Sequence, residues 1–240
     1  MKQAILDSAQ RCCDNGRRLL DEAELLEFER PSATRFYLSI IAQEEYAKAF
    51  LLYLVSIEAI PWTPFLLRAT RDHQCKQLVG IVLDYISPDT DEFLRRTNAW
   101  LQEHKKPDLP DSVADAINIL RHEKIRRWES NNWIWTEDPS YDKIAARVTE
   151  GKRNKAKQQA LYVELTKSGE ISASPEQVTE QQAGDEYERG RRFDSCVRGL
   201  VYGKEAVPWD YERVKHCFKV MFSERNAFLK TKSGDKRSPI

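Results

Sequence analysis

The feature that most limits what this chain can fold into is a stripe in its first thirty residues. Ile5, Ala9, Cys12, Gly16, Leu19, Ala23 and Leu26 recur at spacings of 4, 3, 4, 3, 4 and 3. An α-helix turns once every ~3.6 residues, so these side chains fall in one line along one face. A line that long must be covered by another long element. The spacing predicts a helix over residues 3–29, packed along its whole length. Pro31 ends it, because the residue before a proline is pushed out of the helical region. Ser32 then offers an N-cap for a second helix running to about Ile60, with Phe36, Tyr37, Ile40, Ile41, Ala47, Leu51, Leu52 and Val55 on its apolar face. Two long helices joined by so short a break form an antiparallel hairpin.

The remainder reads as further helices. Pro61 and Pro64 bracket a break, and a third helix is predicted from Phe65 to Ile86, stopped by Ser87-Pro88. Asp89 or Asp91 caps a fourth, to about His104; Lys105–Pro110 is a loop; Asp111 caps a fifth carrying Val113, Ala116, Ile117 and Leu120. Trp128, Trp133 and Trp135 are expected to pack a loop or helix end. Residues 141–165 read as helix interrupted at Gly151, and Lys167–Pro175 as a turn or short extended segment. A helix over 176–203 ends at Gly203, and Pro208-Trp209 opens the last, with Val214, Phe218, Met221, Phe222 and Phe228. The chain has only 9 glycines in 240 residues, about half the usual ~7%, which disfavours an all-β or Gly-rich nucleotide-binding fold. The fold class expected is all-α, a multi-helix bundle built on the long hairpin. One domain is expected over residues 1–230, with 176–230 as a candidate C-terminal helical extension and 231–240 as a flexible tail.

Charge and cysteine usage narrow the function. Lys+Arg and Asp+Glu are both 38, so the chain is neither a basic nucleic-acid coat nor an acidic tail, and any polyanion must meet a local patch. The five cysteines, Cys12, Cys13, Cys75, Cys196 and Cys217, are odd in number and lack CxxC spacing. This argues against a disulfide framework or structural zinc and fits a cytoplasmic protein. The opening MKQAILDSAQRCCD turns polar too soon for a signal peptide, and no apolar run approaches the ~18 residues of a membrane span. His104, His122 and His216 lack Cys or acidic partners at ligand spacing, so neither metal nor cofactor is expected. No GxxxxGK[ST], GxGxxG or GxSxG motif occurs, which leaves nucleotide hydrolysis and serine-hydrolase chemistry without support.

Three groups of residues could carry chemistry. Glu44, Glu45 and Lys48 lie beside or within the apolar stripe of the second helix. Glu44 to Lys48 is i,i+4 and Glu45 to Lys48 is i,i+3, so they read either as a structural ion pair or as the polar wall of a site. Next, Arg68 and His73 are separated by four residues. A guanidinium grips phosphate oxygens as a fork, and an imidazole can move the proton of a ribose 2′-OH or of a leaving oxygen without a metal. Four His and 21 Arg yield about one such match by chance, so the spacing alone also suits a plain helix face. Third, Lys152, Arg153, Lys155 and Lys157 put four positive charges within six residues, with Tyr162 nearby. They read as a solvated helix end or as an RNA-contacting surface with Tyr162 stacking at its edge. Arg121, Lys124, Arg126 and Arg127, interleaved with Trp128, form a weaker patch.

Three stretches in succession, Gly16–Leu26 (GRRLLDEAELL), Ile40–Leu51 (IIAQEEYAKAFL) and Ala160–Pro175 (ALYVELTKSGEISASP), resemble the AbiV type of bacterial abortive-infection proteins in the HEPN superfamily. The resemblance spans roughly residues 4–200 and rests most on the EE-x-x-K element and on the LYV-acidic stretch followed by a Gly turn and Pro. It implies a helical bundle, commonly a homodimer, acting in phage defence. Many HEPN proteins are metal-independent RNases with an Arg-x(4–6)-His motif, two copies of which meet across the dimer. Carried onto this chain, that implies His73 as general acid/base, Arg68 as the phosphate clamp, Glu45 with Lys48 orienting them, and Arg153, Lys155, Lys157 and Tyr162 on the RNA path. Ala69 stands where a polar residue is common, and the pair lies early in the chain. A site built on Arg153, Lys157 and Tyr162 therefore stays open, as does a non-catalytic sensor module whose ligand is a phage or host protein.

Overall fold

The computed structural model describes residues 1–103, 108–130, 140–203 and 210–223. It is mostly helical, as the all-α reading requires. Helices α1 (Lys2–Leu25) and α2 (Ala33–Ser56) form the long antiparallel hairpin, and their mutual packing is the most extensive in the molecule. Ile5, Ala9, Cys12, Gly16, Leu19 and Ala23 of the stripe are all buried. Helix α10 (Glu180–Tyr202) lies against both members of the hairpin.

Small residues set how closely these three helices approach. A Cβ on Gly16 would stand 2.7 Å from the ring of Tyr46, and one on Gly190 would stand 2.8 Å from Leu20. Tyr46 is fully buried, and its hydroxyl donates to Asp194 of α10 at 2.8 Å. Arg17 of α1 donates to the other oxygen of Asp194 at 3.0 Å. Burial and the adjacent Asp194 both push the Tyr46 phenol well above its ordinary range. One polar junction thus registers all three helices inside an apolar core.

The segment predicted as one helix from Phe65 to Ile86 is two. Thr63 caps α3 (Pro64–Ala69) by accepting from the Leu66 N–H, and Asp72 caps α4 (His73–Ile86) by accepting from the Cys75 N–H. Asp72 is the physical reason for the break, since a short carboxylate that satisfies an orphan N–H starts a new helix. His73 is therefore the first helical residue of α4. Asp89 accepts from the Glu92 N–H at the start of α5 (Thr90–Glu103). Helix α6 (Asp111–Asn118) passes into a π-helical stretch, Ile119–Arg126, and a last turn, α7 (Arg127–Glu129). Pro110, not Asp111, occupies the cap position.

The stretch expected as helix over 141–165 is helical only in part. It forms α8 (Lys143–Thr149) and α9 (Lys152–Gln159), divided at Gly151, whose φ of 72° is the left-handed conformation glycine adopts most easily. The chain then turns into a two-stranded antiparallel hairpin of β1 (Glu164–Leu165) and β2 (Ile171–Ala173). Thr179 and Gln182 form a capping box at the start of α10, four residues later than the sequence suggested, and Gly203 ends it at φ 63°. Helix α11 (Tyr211–Ser223) puts Phe218 edge-on to Phe50 of α2, in the same core. The readings made for His104, for Lys105–Pro107, for Trp133 and Trp135, for Pro208-Trp209, for Phe228 and for the tail from 231 lie outside the described residues. Among the described residues, no helix is long and apolar enough to cross a membrane.

Candidate active site

Helices α2, α4 and α9 converge on one buried carboxylate. Glu44 sits in the middle of α2 on the face turned toward α4, with 3% of its side chain exposed. Its Oε2 lies 2.5 Å from Nδ1 of His73 and 2.9 Å from Nζ of Lys76. Its Oε1 accepts from Lys157 at 2.9 Å and more weakly from Gln77 at 3.4 Å. Lys157 Nζ also stands 3.0 Å from His73 Nδ1. A carboxylate can accept several hydrogen bonds, and here every lone-pair direction is used.

The sequence makes this arrangement in a simple way. His73, Lys76 and Gln77 are positions i, i+3 and i+4 of α4, so they share the face that meets α2. Lys157 comes from a helix, KRNKAKQQ, with little apolar surface of its own. What holds that helix down is ionic: Lys157 on Glu44, and Arg153 on Glu186 and Gln43.

Burial by itself would raise the Glu44 carboxyl. Lys76 and Lys157 outweigh burial by charge and by hydrogen bonding, and hold it at about 2 against an ordinary 4.5. Glu44 is thus a buried anion between two buried ammonium groups, with Lys76 and Lys157 exposed by only 9% and 5%. One negative charge faces two positive ones before the imidazole is counted. His73 differs from the rest because 48% of its side chain is exposed, so its inner nitrogen meets the cluster while the ring edge faces water.

A second layer extends along the crevice. Arg153 bonds to Glu186 and Gln43, and Arg189 reaches Gln43 at 3.1 Å and Asp84 through Nε at 2.8 Å. Burial, with Arg189 alongside, brings the Arg153 guanidinium down to about 10.

The residues anticipated from sequence are therefore sorted by position. His73 and Lys157 meet, and Arg153 adjoins them in the second layer. Glu45 and Lys48 do not reach His73: they pair with each other at 3.8 Å beside Cys12 of α1. The carboxylate at the imidazole is the neighbouring Glu44, because one residue along a helix is a rotation of about 100°. Arg68 lies at the exposed end of α3 with its guanidinium 4.4 Å over the Trp128 ring. Among the described residues, no carboxylate pairs with it and no hydrogen bond links it to His73. Of the basic segment, Arg153 and Lys157 point inward, while Lys152 pairs with Glu150 and Lys155 is exposed. Tyr162 is 64% exposed beside β1. In the weaker patch, Arg121 is buried against Glu129, Lys124 donates to Gln74 and Arg127 lies near Glu123.

Lys76, Gln77, Asp84, Glu186 and Arg189 were not anticipated. The signal for Lys76 and Gln77 was present: a lysine and a glutamine directly before the apolar run LVGIVL, in a stretch of α4 that is buried without a gap from Cys75 to Leu83. Among the described residues, no three His, Cys, Asp or Glu side chains gather as a metal-ligand set.

A family model described as AbiV, of the HEPN group, matches residues 4–192. No curated protein and no solved structure gives a significant match.

Proposed function

The chain belongs to the AbiV family of HEPN proteins, a family of abortive-infection antiphage defence, and from that premise we propose that it is a metal-independent RNA endonuclease. In this reading His73 is the general acid/base and Arg68 holds a phosphate. Lys155 on α9 and Tyr162 just beyond it, both exposed, contact the RNA strand. The chemistry is transesterification. A base takes the proton from a ribose 2′-OH, the 2′-oxygen attacks the adjacent phosphorus, the P–O5′ bond breaks, and an acid returns a proton to the leaving 5′-oxygen. Two copies acting as a homodimer supply two imidazoles, one for each proton transfer.

The observation that supports this reading best is the setting of His73. Its imidazole is half exposed at the mouth of a cluster with excess positive charge, and the Arg68 guanidinium on the preceding turn has its hydrogen-bonding edge uncommitted to any carboxylate among the described residues. Excess cations near an exposed imidazole favour a phosphodiester over a neutral substrate.

The test is purified protein incubated with total cellular RNA in EDTA. Cleavage giving 2′,3′-cyclic phosphate and 5′-hydroxyl ends is expected, with loss of activity in His73→Ala at unchanged melting temperature. Full activity in a folded His73→Ala variant removes His73 from the mechanism. The inward turn of Arg153 and Lys157 favours one second reading, in which the chain is a sensor that binds a phage or host protein and cuts nothing. Absence of cleavage together with capture of a single protein during infection would select it.

A further inference from the structure

We propose that Glu44 is the positioning residue for His73: it holds the imidazole by the proton on Nδ1, so that Nε2 faces solvent as the atom that exchanges protons with substrate. The proposal rests on the acid–base role given to His73 above and adds the group that sets that role.

The geometry carries it in three steps. First, the shortest contact of the imidazole is Nδ1 to Glu44 Oε2, at 2.5 Å, too close for the two atoms to face each other without a proton between them. An ionised carboxylate only accepts, so the proton of that bond belongs to Nδ1. A neutral imidazole with its proton on Nδ1 has its lone pair on Nε2; with Nδ1 held in the buried cluster and 48% of the side chain exposed, we infer that Nε2 is the nitrogen open to solvent.

Second, the competing arrangement is weaker. Lys157 Nζ lies 3.0 Å from the same Nδ1 and could donate to it, which would move the ring proton to Nε2. That arrangement would leave a bare Nδ1 lone pair 2.5 Å from the ionised Glu44 Oε2, a repulsion that a proton on Nδ1 removes, while Lys157 keeps its anionic acceptor in Glu44 Oε1 at 2.9 Å in either case.

Third, Glu44 is itself held. Lys76 from α4 and Lys157 from α9 fix one oxygen each, and α2 fixes the backbone. The carboxylate has no room to turn away from the ring, and positioning of this kind requires that immobility. Asp72 does not compete for the ring, because its carboxylate caps the Cys75 N–H.

The experiment is ¹⁵N NMR of the imidazole nitrogens in the full chain, above the pH at which the rings titrate. His73 is assigned by loss of its signals in His73→Ala among the 4 histidines. The Nδ1–H tautomer is expected for His73; the Nε2–H tautomer overturns the proposal, because it means that Lys157 donates to the ring. Glu44→Asp supplies the second arm. It keeps the charge for Lys76 and Lys157 but draws the carboxylate back by about one methylene. A displacement of that size from productive geometry costs on the order of a hundredfold in kcat with KM little changed. Glu44→Asp that folds, retains KM and retains kcat refutes the positioning role. The two readings fail separately. Wild-type protein that shows the Nδ1–H tautomer but cuts no RNA defeats the nuclease reading alone. Protein that cuts RNA with the Nε2–H tautomer defeats the role of Glu44 alone.

Discussion

Replacing Glu44 by Gln takes one negative charge from between two buried ammonium groups. The wild-type carboxyl lies at about 2 in the folded chain and at 4.5 when unperturbed. A group whose pKa is depressed by folding stabilises the fold above its unfolded pKa and ceases to do so as pH falls through the folded value. At about 1.4 kcal/mol per pH unit, the difference contributes about 3 kcal/mol at pH 7, and more than half of it is gone by pH 3. Glu44 is 3% exposed, so solvent screening takes little from this figure. Breaking a buried ion pair from one side is independently expected to cost about 3–5 kcal/mol, because Lys76 and Lys157 are left buried without a counter-ion. The two routes agree on a loss of about 3 kcal/mol or more.

Urea denaturation of wild type and Glu44→Gln, followed by circular dichroism at pH 7, 5 and 3, reads this directly. The midpoint at pH 7 is expected to fall by about 1 M, for a denaturant slope of about 3 kcal/mol per M. The gap between the two proteins is expected to narrow steeply between pH 4.5 and pH 3. A gap of equal size at pH 7 and pH 3, or one under about 1 kcal/mol throughout, refutes the claim that Glu44 is the ionised centre of the cluster. A companion variant sharpens the test. Glu44→Leu combined with Lys76→Met and Lys157→Met removes all three charges, and it is expected to recover most of the stability that Glu44→Gln loses, since an apolar replacement of a whole buried triad is often neutral or stabilising.

Three further outcomes follow from the geometry. Gly16→Ala places a methyl group 2.7 Å from the buried Tyr46 ring and is expected to cost about 1–3 kcal/mol, read as a lowered melting temperature; an unchanged value would mean that α1 and α2 can separate freely. Gly203→Ala forces a side chain to φ 63° at the end of α10 and is expected to cost about 1–2 kcal/mol in the same assay. Lys155→Ala is expected to weaken RNA binding uniformly across sequences and to reduce the slope of log K against log salt by about 0.7, whereas Lys152→Ala, whose charge is already paired with Glu150, should change the slope less.

The hairpin was legible because its signal is periodic and its solution is local. A 4, 3, 4, 3 stripe admits one kind of partner, and six of its seven members are buried in the fold. Where the reading of helices went astray, a short-range competitor was responsible. Asp72 bonds the Cys75 N–H and splits a segment whose apolar pattern continues across the break. After Gln159, the run LYVEL carries apolar residues that suit either state, and Leu161, Tyr162 and Val163 lie exposed beyond the end of α9 where helix had been expected to continue to 165.

The site was legible in kind but not in membership, and the reason is geometric. Charged residues inside the apolar stripe of α2 pointed to a polar feature. Which of two adjacent glutamates took part depended on a rotation that only the packing of α4 against α2 decides. Glu45 looks toward Cys12 and Lys48, and Glu44 toward His73. The basic segment misled for a related reason. Its charge density suggested a surface for a polyanion, but α9 has almost no apolar face, so its own cations must anchor it to the protein. Arg153 and Lys157 face inward because Glu186 and Glu44 are there to receive them, and a carboxylate 33 or 113 residues removed from its partner leaves no mark in local sequence. Cations matched to buried carboxylates serve the fold; in the nuclease reading proposed above, exposed cations such as Arg68 and Lys155, for which no carboxylate partner stands among the described residues, are the ones available to a phosphate.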